Sequence, residues 1–301
     1  MTNFIAAEVD RYVYWIEERE RIRHLKEEVQ QEPPWTEDPI LREFKFCQVF
    51  REDDRTTRWF RHYIREPLRN DPEVFMATVA FRFFNLIETG ETLLDHNLHI
   101  EWDREKAIEE IRKQNKWITG AYIVKSPNRM DKVTGVAECV SHIWTERDRI
   151  LKDFSHLKSL CDAWNYLLRF PYIGPFVSYE MVTDLRHTHL LENAEDILSW
   201  ANAGPGAMRG LNRLTGRPLE FCKRSWDWNS EMQALYQWCI ERLDLSKFHR
   251  PFEMREIEGG LCEFDKYSRI LHGQGRTRSV YDYSQKDRPL IKEYERKNGK
   301  T

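Results

Sequence analysis

Two segments contain the residues best suited to chemistry, and the first is rich in glycine and arginine. It opens with Gly204 and Gly206 and brings Arg209 and Arg213 close behind. A glycine-rich turn followed by arginines can hold an anion through backbone amides and bidentate guanidinium groups. The alternative interpretation is an ordinary tight turn between helices, with the arginines in solvent.

The second segment, residues 261–278, places charged groups among apolar ones. Its charged residues of interest are Glu263, Asp265, Lys266, Arg269 and Arg276. Cys262, Phe264 and Tyr267 alternate with them, which predicts partial burial on a helix. A partly buried charge cluster is more often functional than a solvated one, because its carboxylates can accept protons and its cations can bind an anion. A surface ion-pair network is the alternative.

A third pattern, residues 168–180, predicts a helix, a tight turn and a second helix. Tyr172, Gly174 and Phe176 lie in or beside this turn. The pattern is typical of a helix-hairpin-helix, in which backbone N–H groups at the start of the second helix point at a DNA phosphate. An ordinary corner between two helices is the alternative.

Arginines alternate with aromatic residues in the fourth pattern. Six arginines lie between Arg51 and Arg69, and the stretch also contains Asp54, Trp59 and Phe60. This mixture suits binding of a nucleic-acid backbone together with base stacking. The alternative is an amphipathic helix with a charged outer face.

The composition limits the classes of protein that remain. The 301 residues carry a net charge of only -3, so a nucleic-acid site must be a local basic patch. Six cysteines form no CxxC pair and predict reduced thiols. No apolar run approaches the roughly 20 residues that span a bilayer, which predicts a cytoplasmic protein without a membrane partner.

Helical spacing of apolar residues predicts an all-α fold. We expect an N-terminal helical extension over residues 1–36, a helical domain over 37–284 and a charged tail over 285–301. Residues 37–65 read as one further helical stretch. The segment 117–136 is ambiguous and fits a short strand or a loop.

Five motifs occur in one order between residues 46 and 278. They are FCQVFREDDRTTRWF, FRFFN, FPYIGPFVSYEMVTDL, AGPGAMRGLNRL and LCEFDKYSR. Through them the chain resembles the helical domain associated with 5-hydroxymethyluracil DNA kinases. It also resembles the related alpha-glutamyl/putrescinyl thymine pyrophosphorylases, the amino-acid:DNA transferases of thymine hypermodification. The resemblance extends over more than three quarters of the chain.

The resemblance implies a helix-hairpin-helix DNA glycosylase-like fold and a DNA substrate that contains modified thymine. A kinase first converts the hydroxymethyl group to a pyrophosphate ester, and a transferase then replaces pyrophosphate with an amine from an amino acid or a polyamine. No GxxxxGK[ST] loop occurs in this chain, so the transferase step is favoured and a separate kinase becomes a partner. A phage-encoded protein would act in the host cytoplasm.

The resemblance also suggests roles for residues, on the ground that a pyrophosphate leaving group needs cations and an attacking amine needs a base. The catalytic candidates are Glu263, Asp265, Lys266 and Asp54. The pyrophosphate-binding candidates are Arg209, Arg213, Arg269 and Arg276. The candidates for binding the amine donor are Arg55 and Arg82. The DNA-binding candidates are Gly174, Phe176, Tyr172, Gly204 and Gly206, with Phe84 as a further stacking candidate. No metal ligand is predicted, although Mg²⁺ is chemically compatible with a pyrophosphate.

Two other functions remain open at this point. A DNA glycosylase needs a catalytic Asp well after the hairpin, whereas Asp184 follows Gly174 by only 10 residues. A non-catalytic module could instead present DNA to the kinase. The charge cluster of residues 263–278 discriminates between them, because a pure binding module does not need buried carboxylates there.

Overall fold

The computed structural model describes residues 2–223, 225–275, 277, 279–281 and 283. These residues form thirteen α-helices: α1 (Ala6–Arg23), α2 (Pro39–Glu43), α3 (Arg55–Phe60), α4 (Val74–Phe84), α5 (Ile87–Asp95), α6 (Arg104–Arg112), α7 (Lys132–Trp144), α8 (Arg147–Phe154), α9 (Leu160–Leu167), α10 (Pro175–Leu185), α11 (Pro205–Thr215), α12 (Trp228–Arg242) and α13 (Met254–Leu271). Short π-helical turns continue α1 at His24–Glu28 and α3 at Arg61–Arg65, and 3-10 turns lie at Arg51–Asp53 and Leu245–Lys247.

Pairing between β-strands is almost absent from the described part of the chain. It consists there of one isolated bridge between Phe44 and Val280. The predicted all-α fold is therefore confirmed. The segment 117–131 is a loop, and the predicted helical stretch 37–65 is interrupted after α2, near the bridge.

The helices group into two compact units. Unit 1 combines the chain up to residue 54 with residues 197–287 and contains α1, α2, α11, α12 and α13. Unit 2 holds residues 55–196 and contains α3 to α10. The predicted boundaries at residues 36 and 284 divide the chain differently and stay a prediction, and the tail 285–301 lies outside the described residues.

In unit 1, α11 packs closely against α13 because two glycines on one face of α11 lack side chains. A β-carbon at Gly206 would collide with Sγ of Cys262. A β-carbon at Gly210 would lie 2.5 Å from the carbonyl oxygen of Leu261. Helix α1 packs on the same pair, and the buried hydroxyl of Tyr12 donates to the carbonyl oxygen of Ile257 over 3.2 Å. The N-terminal helix is thus an integral part of unit 1.

The close packing gives a testable expectation for Gly210→Ala. Alanine favours a helix by roughly 0.5–1 kcal/mol over glycine. At residue 210, however, the new methyl group meets backbone, which cannot move aside as a flexible side chain does. We expect a net destabilisation of about 1–3 kcal/mol, measured by urea unfolding. Gly259→Ala on α13 is the matched control, because its β-carbon meets only the guanidinium end of Arg255. Equal stabilities of the two variants would contradict the close contact.

Unit 2 is built on α4, which is buried along its whole length. Phe60 and Phe81 stack at 4.7 Å between ring centroids, and Trp59 stacks on the same Phe81 at 5.6 Å. Arg82 is the one charged residue of α4, and it pairs with Asp184 of α10, with Nη2 2.9 Å from Oδ1. The core of unit 2 is thus aromatic, with a buried ion pair joining two of its helices.

Candidate functional site

The site in unit 1 begins with one carboxylate that holds three arginines. Arg209 and Arg213 are four residues apart and lie on one face of α11, and Asp265 and Arg269 are similarly spaced on α13. Nε of Arg209 donates to Oδ2 of Asp265 over 2.8 Å, and Nε of Arg213 donates to Oδ1 over 2.9 Å. Nε of Arg269 lies 3.6 Å from Oδ2. The sequence-predicted cations of the two segments therefore meet at Asp265.

The charges of this group do not cancel. Three guanidinium groups face a single carboxylate, so two positive charges remain among these four residues. Asp265 is 1% exposed and the side chain of Arg213 is 6% exposed, whereas those of Arg209 and Arg269 are 41% and 36% exposed. Nη2 of Arg213 is buried and has no hydrogen-bond partner within the described residues. The arrangement can bind an anion through guanidinium N–H groups that are not all used in hydrogen bonds within the protein.

A second ion pair lies on the same helix. Nζ of Lys266 donates to Glu263, whose other carboxylate oxygen accepts the backbone N–H of Cys47 at 3.1 Å. Burial alone would lower the pKa of Lys266, but the charge of Glu263 and its hydrogen bond, together with the nearby Cys47 and Cys262, raise the pKa above its usual range. Lys266 is therefore a fixed cation, so it is suited to stabilise negative charge and unsuited to act as a base.

Asp54 lies near this pair at the end of the first segment of unit 1. Its Oδ1 accepts the backbone N–H of Gln48 at 3.0 Å. Burial, together with the negative charge of Glu263, raises the pKa of Asp54 to about 6. A carboxyl group that titrates close to neutral pH can accept a proton with more driving force than an ordinary aspartate.

The Cys262 thiol shows that these charged groups converge. Burial, together with the charges of Glu263 and Glu258, raises its pKa to about 12, although Lys266 and Arg209 act to lower it. One thiol is thus within electrostatic range of cations from both helices. The unit 1 charge cluster is the set Asp54, Arg209, Arg213, Glu263, Asp265, Lys266 and Arg269.

The glycines of the first segment have a different setting from the predicted one. Residues 204–213 do not form an open anion-binding loop, because α11 begins at Pro205. The amide of Gly204 points to Oε1 of Glu258 at 3.4 Å, and Gly206 is buried against Cys262. These contacts do not favour the DNA-binding role predicted for Gly204 and Gly206, and that role stays a prediction.

The two arginines proposed for the amine donor lie in unit 2. Arg55 is exposed at the first residue of α3. Arg82 is 2% exposed, and its guanidinium is bound by Asp184, Asn85 and Thr57. These contacts do not favour the donor-binding role predicted for Arg82, because the guanidinium is already bound within the protein, and that role stays a prediction. Arg276 lies outside the described residues.

The predicted hairpin turn joins α9 to α10 in unit 2. Tyr172 has φ 67°, the left-handed region that side chains rarely adopt, and is 41% exposed. Gly174 has φ −90°, and a β-carbon there would meet nothing within 4 Å. Phe176 is 47% exposed, whereas Phe84 is fully buried and cannot stack on a base. The turn therefore presents an open backbone and two aromatic rings.

Among the described residues, no group of three or more His, Cys, Asp or Glu side chains is placed to hold a metal ion. None of the helices described is both long and apolar enough to cross a membrane.

The geometry defines a helical protein with a partly buried cluster of arginines and carboxylates. The family described as "5-hmdU DNA kinase, helical domain" matches residues 6–277, and the chain therefore belongs to this family. The chain is also similar to the 5-hmdU DNA kinase of Bacillus phage SP10, with 24% identity over 320 aligned positions that cover 94% of this chain and 48% of the relative. The chain thus spans about half the length of this curated relative. No solved structure matches it.

The family assignment confirms the predicted relation to 5-hydroxymethyluracil DNA kinases. It does not test the transferase activity, the glycosylase-like hairpin or the site residues, which stay predictions. Sequence reasoning missed Glu258 and Arg255, which form an ion pair beside the start of α11 with Nη1 2.5 Å from Oε2. Their spacing of three residues on α13 was the available signal.

Proposed function

We propose that the unit 1 charge cluster replaces the pyrophosphate of a 5-(pyrophosphoryloxymethyl)uracil in DNA with an amine. The observation that carries the proposal is the excess of positive charge at Asp265, where three arginines face one carboxylate. A pyrophosphate brings the negative charge that such a group lacks. A carboxylate that only neutralised cations on the surface would not have to be buried, whereas Asp265 is 1% exposed.

The reaction balances without a further reactant. The amine nitrogen attacks the methylene carbon on C5 of the base, a C–N bond forms, and the C–O bond to pyrophosphate breaks. The pyrophosphate leaves with the bonding electron pair, and negative charge grows on its oxygens. Arg209, Arg213, Arg269 and Lys266 stabilise that charge, because fixed cations act most strongly on charge that develops in the transition state.

The nitrogen must lose a proton during the attack. Asp54 is the proposed acceptor, because its pKa of about 6 makes it a stronger base than an ordinary aspartate while leaving it ionised at pH 7. Glu263 holds Lys266 and the Cys47 backbone, so it acts as a positioning residue. Asp265 has the same kind of role for the arginines. The donor-binding role of Arg55, which lies in unit 2, stays a prediction.

The decisive experiment supplies the chain with DNA that contains pyrophosphorylated hydroxymethyluracil and with a mixture of amino acids and polyamines. Mass spectrometry of the digested nucleosides should show an amine adduct and loss of the pyrophosphate. DNA with unmodified hydroxymethyluracil is the control and should give no adduct. Absence of any adduct, with DNA binding intact, would refute the transferase.

A non-catalytic module that presents DNA to a kinase is the second candidate. The specific observation in its favour is that the chain covers 48% of a relative named as a DNA kinase. A glycosylase role has less support, because Asp184 is fully buried and its Oδ1 lies 3.7 Å from Nη1 of Arg65 besides the pair with Arg82. Base release in the same assay would reveal a glycosylase directly.

The transfer rate should depend on pH through Asp54. The ionised carboxylate is the active form, so the rate should rise as the pH increases through about 6. At pH 5 we expect about one tenth of the plateau rate at saturating donor, since one pH unit below the pKa leaves about a tenth of the base ionised. Asp54→Asn should lower the plateau and remove this acidic limb. Asp244→Asn is the control, and an unchanged acidic limb in Asp54→Asn would exclude Asp54 as the base.

A further inference from the structure

The loop between α6 and α7 in unit 2 holds one apolar side chain out in solvent. Ile123 is 89% exposed, although both of its neighbours are fastened. The ring of Tyr122 packs edge-on against Phe176 at 4.8 Å, and its hydroxyl donates to the carbonyl oxygen of Arg82 over 2.8 Å. Val124 is 2% exposed, and Nζ of Lys132 donates to its carbonyl oxygen. Ile123 is therefore presented by an anchored backbone.

The same loop is positively charged. Lys116, Lys125 and Arg129 are exposed and form no ion pair within the described residues. The one carboxylate between residues 113 and 132 is Asp131, which is already bound by Arg112, with Nη2 2.7 Å from Oδ2. The loop thus offers three unpaired cations around an exposed aliphatic side chain.

Contacts join this loop to the hairpin turn. Phe176, which touches Tyr122, is the second residue of α10, and the first amides of that helix have no side-chain cap. The N-terminus of a helix favours binding of a phosphate. Cations beside an exposed apolar side chain are suited to a polyanion whose interior consists of stacked apolar bases. Duplex DNA has both properties.

We propose that residues 116–130 are a DNA wedge, in which Ile123 enters a base step while Lys116, Lys125 and Arg129 contact phosphates. Isoleucine is among the side chains that unstack base steps in this way, and contacts with the DNA backbone offset the free-energy cost of unstacking. A wedge helps an enzyme reach a base, because opening the stack is the first part of extruding it. The proposal rests on the proposed function only in taking DNA as the partner.

The test uses the full chain and a duplex with 2-aminopurine next to a hydroxymethyluracil. Binding of the unaltered protein should raise 2-aminopurine fluorescence, which reports unstacking. Ile123→Ala should reduce this rise at least fivefold while the Kd changes by less than threefold. Leu198→Ala, at a residue that is 56% exposed, is the matched control and should keep the full signal. A full signal in Ile123→Ala overturns the wedge.

The cations are tested separately. Lys125→Glu combined with Arg129→Glu should weaken duplex binding at least tenfold at low salt and reduce its salt dependence, whereas Lys247→Glu should not. Vesicles with 30% phosphatidylserine provide the other polyanionic surface. Loss of vesicle binding in Ile123→Ala, with an unchanged 2-aminopurine signal, would overturn the DNA wedge in favour of a lipid surface.

The two assays distinguish a failure of the DNA wedge from a failure of the transferase. If the protein makes no amine adduct but raises 2-aminopurine fluorescence through Ile123, the wedge stands and the transferase falls. If it makes the adduct and Ile123→Ala unstacks the duplex equally well, the wedge alone falls. Single-stranded substrate adds a check, because Ile123→Ala should match the unaltered protein on a base that needs no extrusion.

Discussion

Asp265→Ala is expected to lower the free energy of unfolding by about 3–5 kcal/mol, the range for removing one partner of a buried ion pair. The loss comes mainly from Arg213, whose side chain is 6% exposed and would be left as a buried, unpaired charge. Arg209 and Arg269 can turn toward water, so they add less. Urea unfolding followed by circular dichroism measures the change.

The controls separate this effect from a general loss of charge. Glu241→Gln removes a carboxylate that is 70% exposed and should change stability by less than about 0.5 kcal/mol. Asp265→Asn keeps hydrogen-bond acceptance without the charge, so it should fall between the two. A loss below about 1 kcal/mol for Asp265→Ala would show that Asp265 does not hold the arginines.

Arg209→Ala should reduce kcat/KM for amine transfer by about 10²–10³-fold, the effect of removing one fixed group that stabilises transition-state charge. Arg209 is the most exposed of the three arginines at Asp265, with a side chain that is 41% exposed, so the fold should survive its loss. DNA affinity should change little, because the contact strengthens as the pyrophosphate leaves.

Arg21→Ala is the matched control, since Arg21 is also a half-exposed arginine of unit 1 paired with a carboxylate, Glu18. It should leave kcat/KM unchanged. Arg209→Lys should restore part of the lost rate, because lysine returns the charge but not the forked donor geometry. An Arg209→Ala enzyme with normal kcat/KM would remove the anion-binding role of the cluster.

Periodicity and motif order were sufficient to predict an all-α fold and the relation to 5-hydroxymethyluracil DNA kinases. The setting of the glycines was not predictable, because Gly206 and Gly210 reveal their role only through a partner helix some fifty residues away. Glycine in a sequence signals a loop as readily as a close helix contact. From the sequence alone, the segment that begins at Gly204 is therefore interpreted as a glycine-rich turn followed by arginines.

Arg82 and Ile123 are two further residues whose surroundings could not be predicted from the sequence, since one is a buried charge and the other an exposed apolar side chain. An arginine near aromatic residues suggests a ligand site, yet Arg82 is neutralised by Asp184, which lies 102 residues further on. Ile123 would be expected in a core, yet its neighbours turn inward and leave it in solvent. Tertiary contacts decided both cases, and local sequence does not encode them.

The division of unit 1 between two distant parts of the chain has a consequence for synthesis on the ribosome. Residues 55–196 emerge together, so unit 2 can fold while the polypeptide is still being made. Helix α1 must wait until α13 has emerged, which takes roughly twelve to fifty seconds at typical elongation rates. During that interval Val9, Tyr12 and Ile16, all fully buried at the end, are exposed on a nascent chain. Helix α1 is thus made before the other helices of unit 1 and is among the last of them to find its partners.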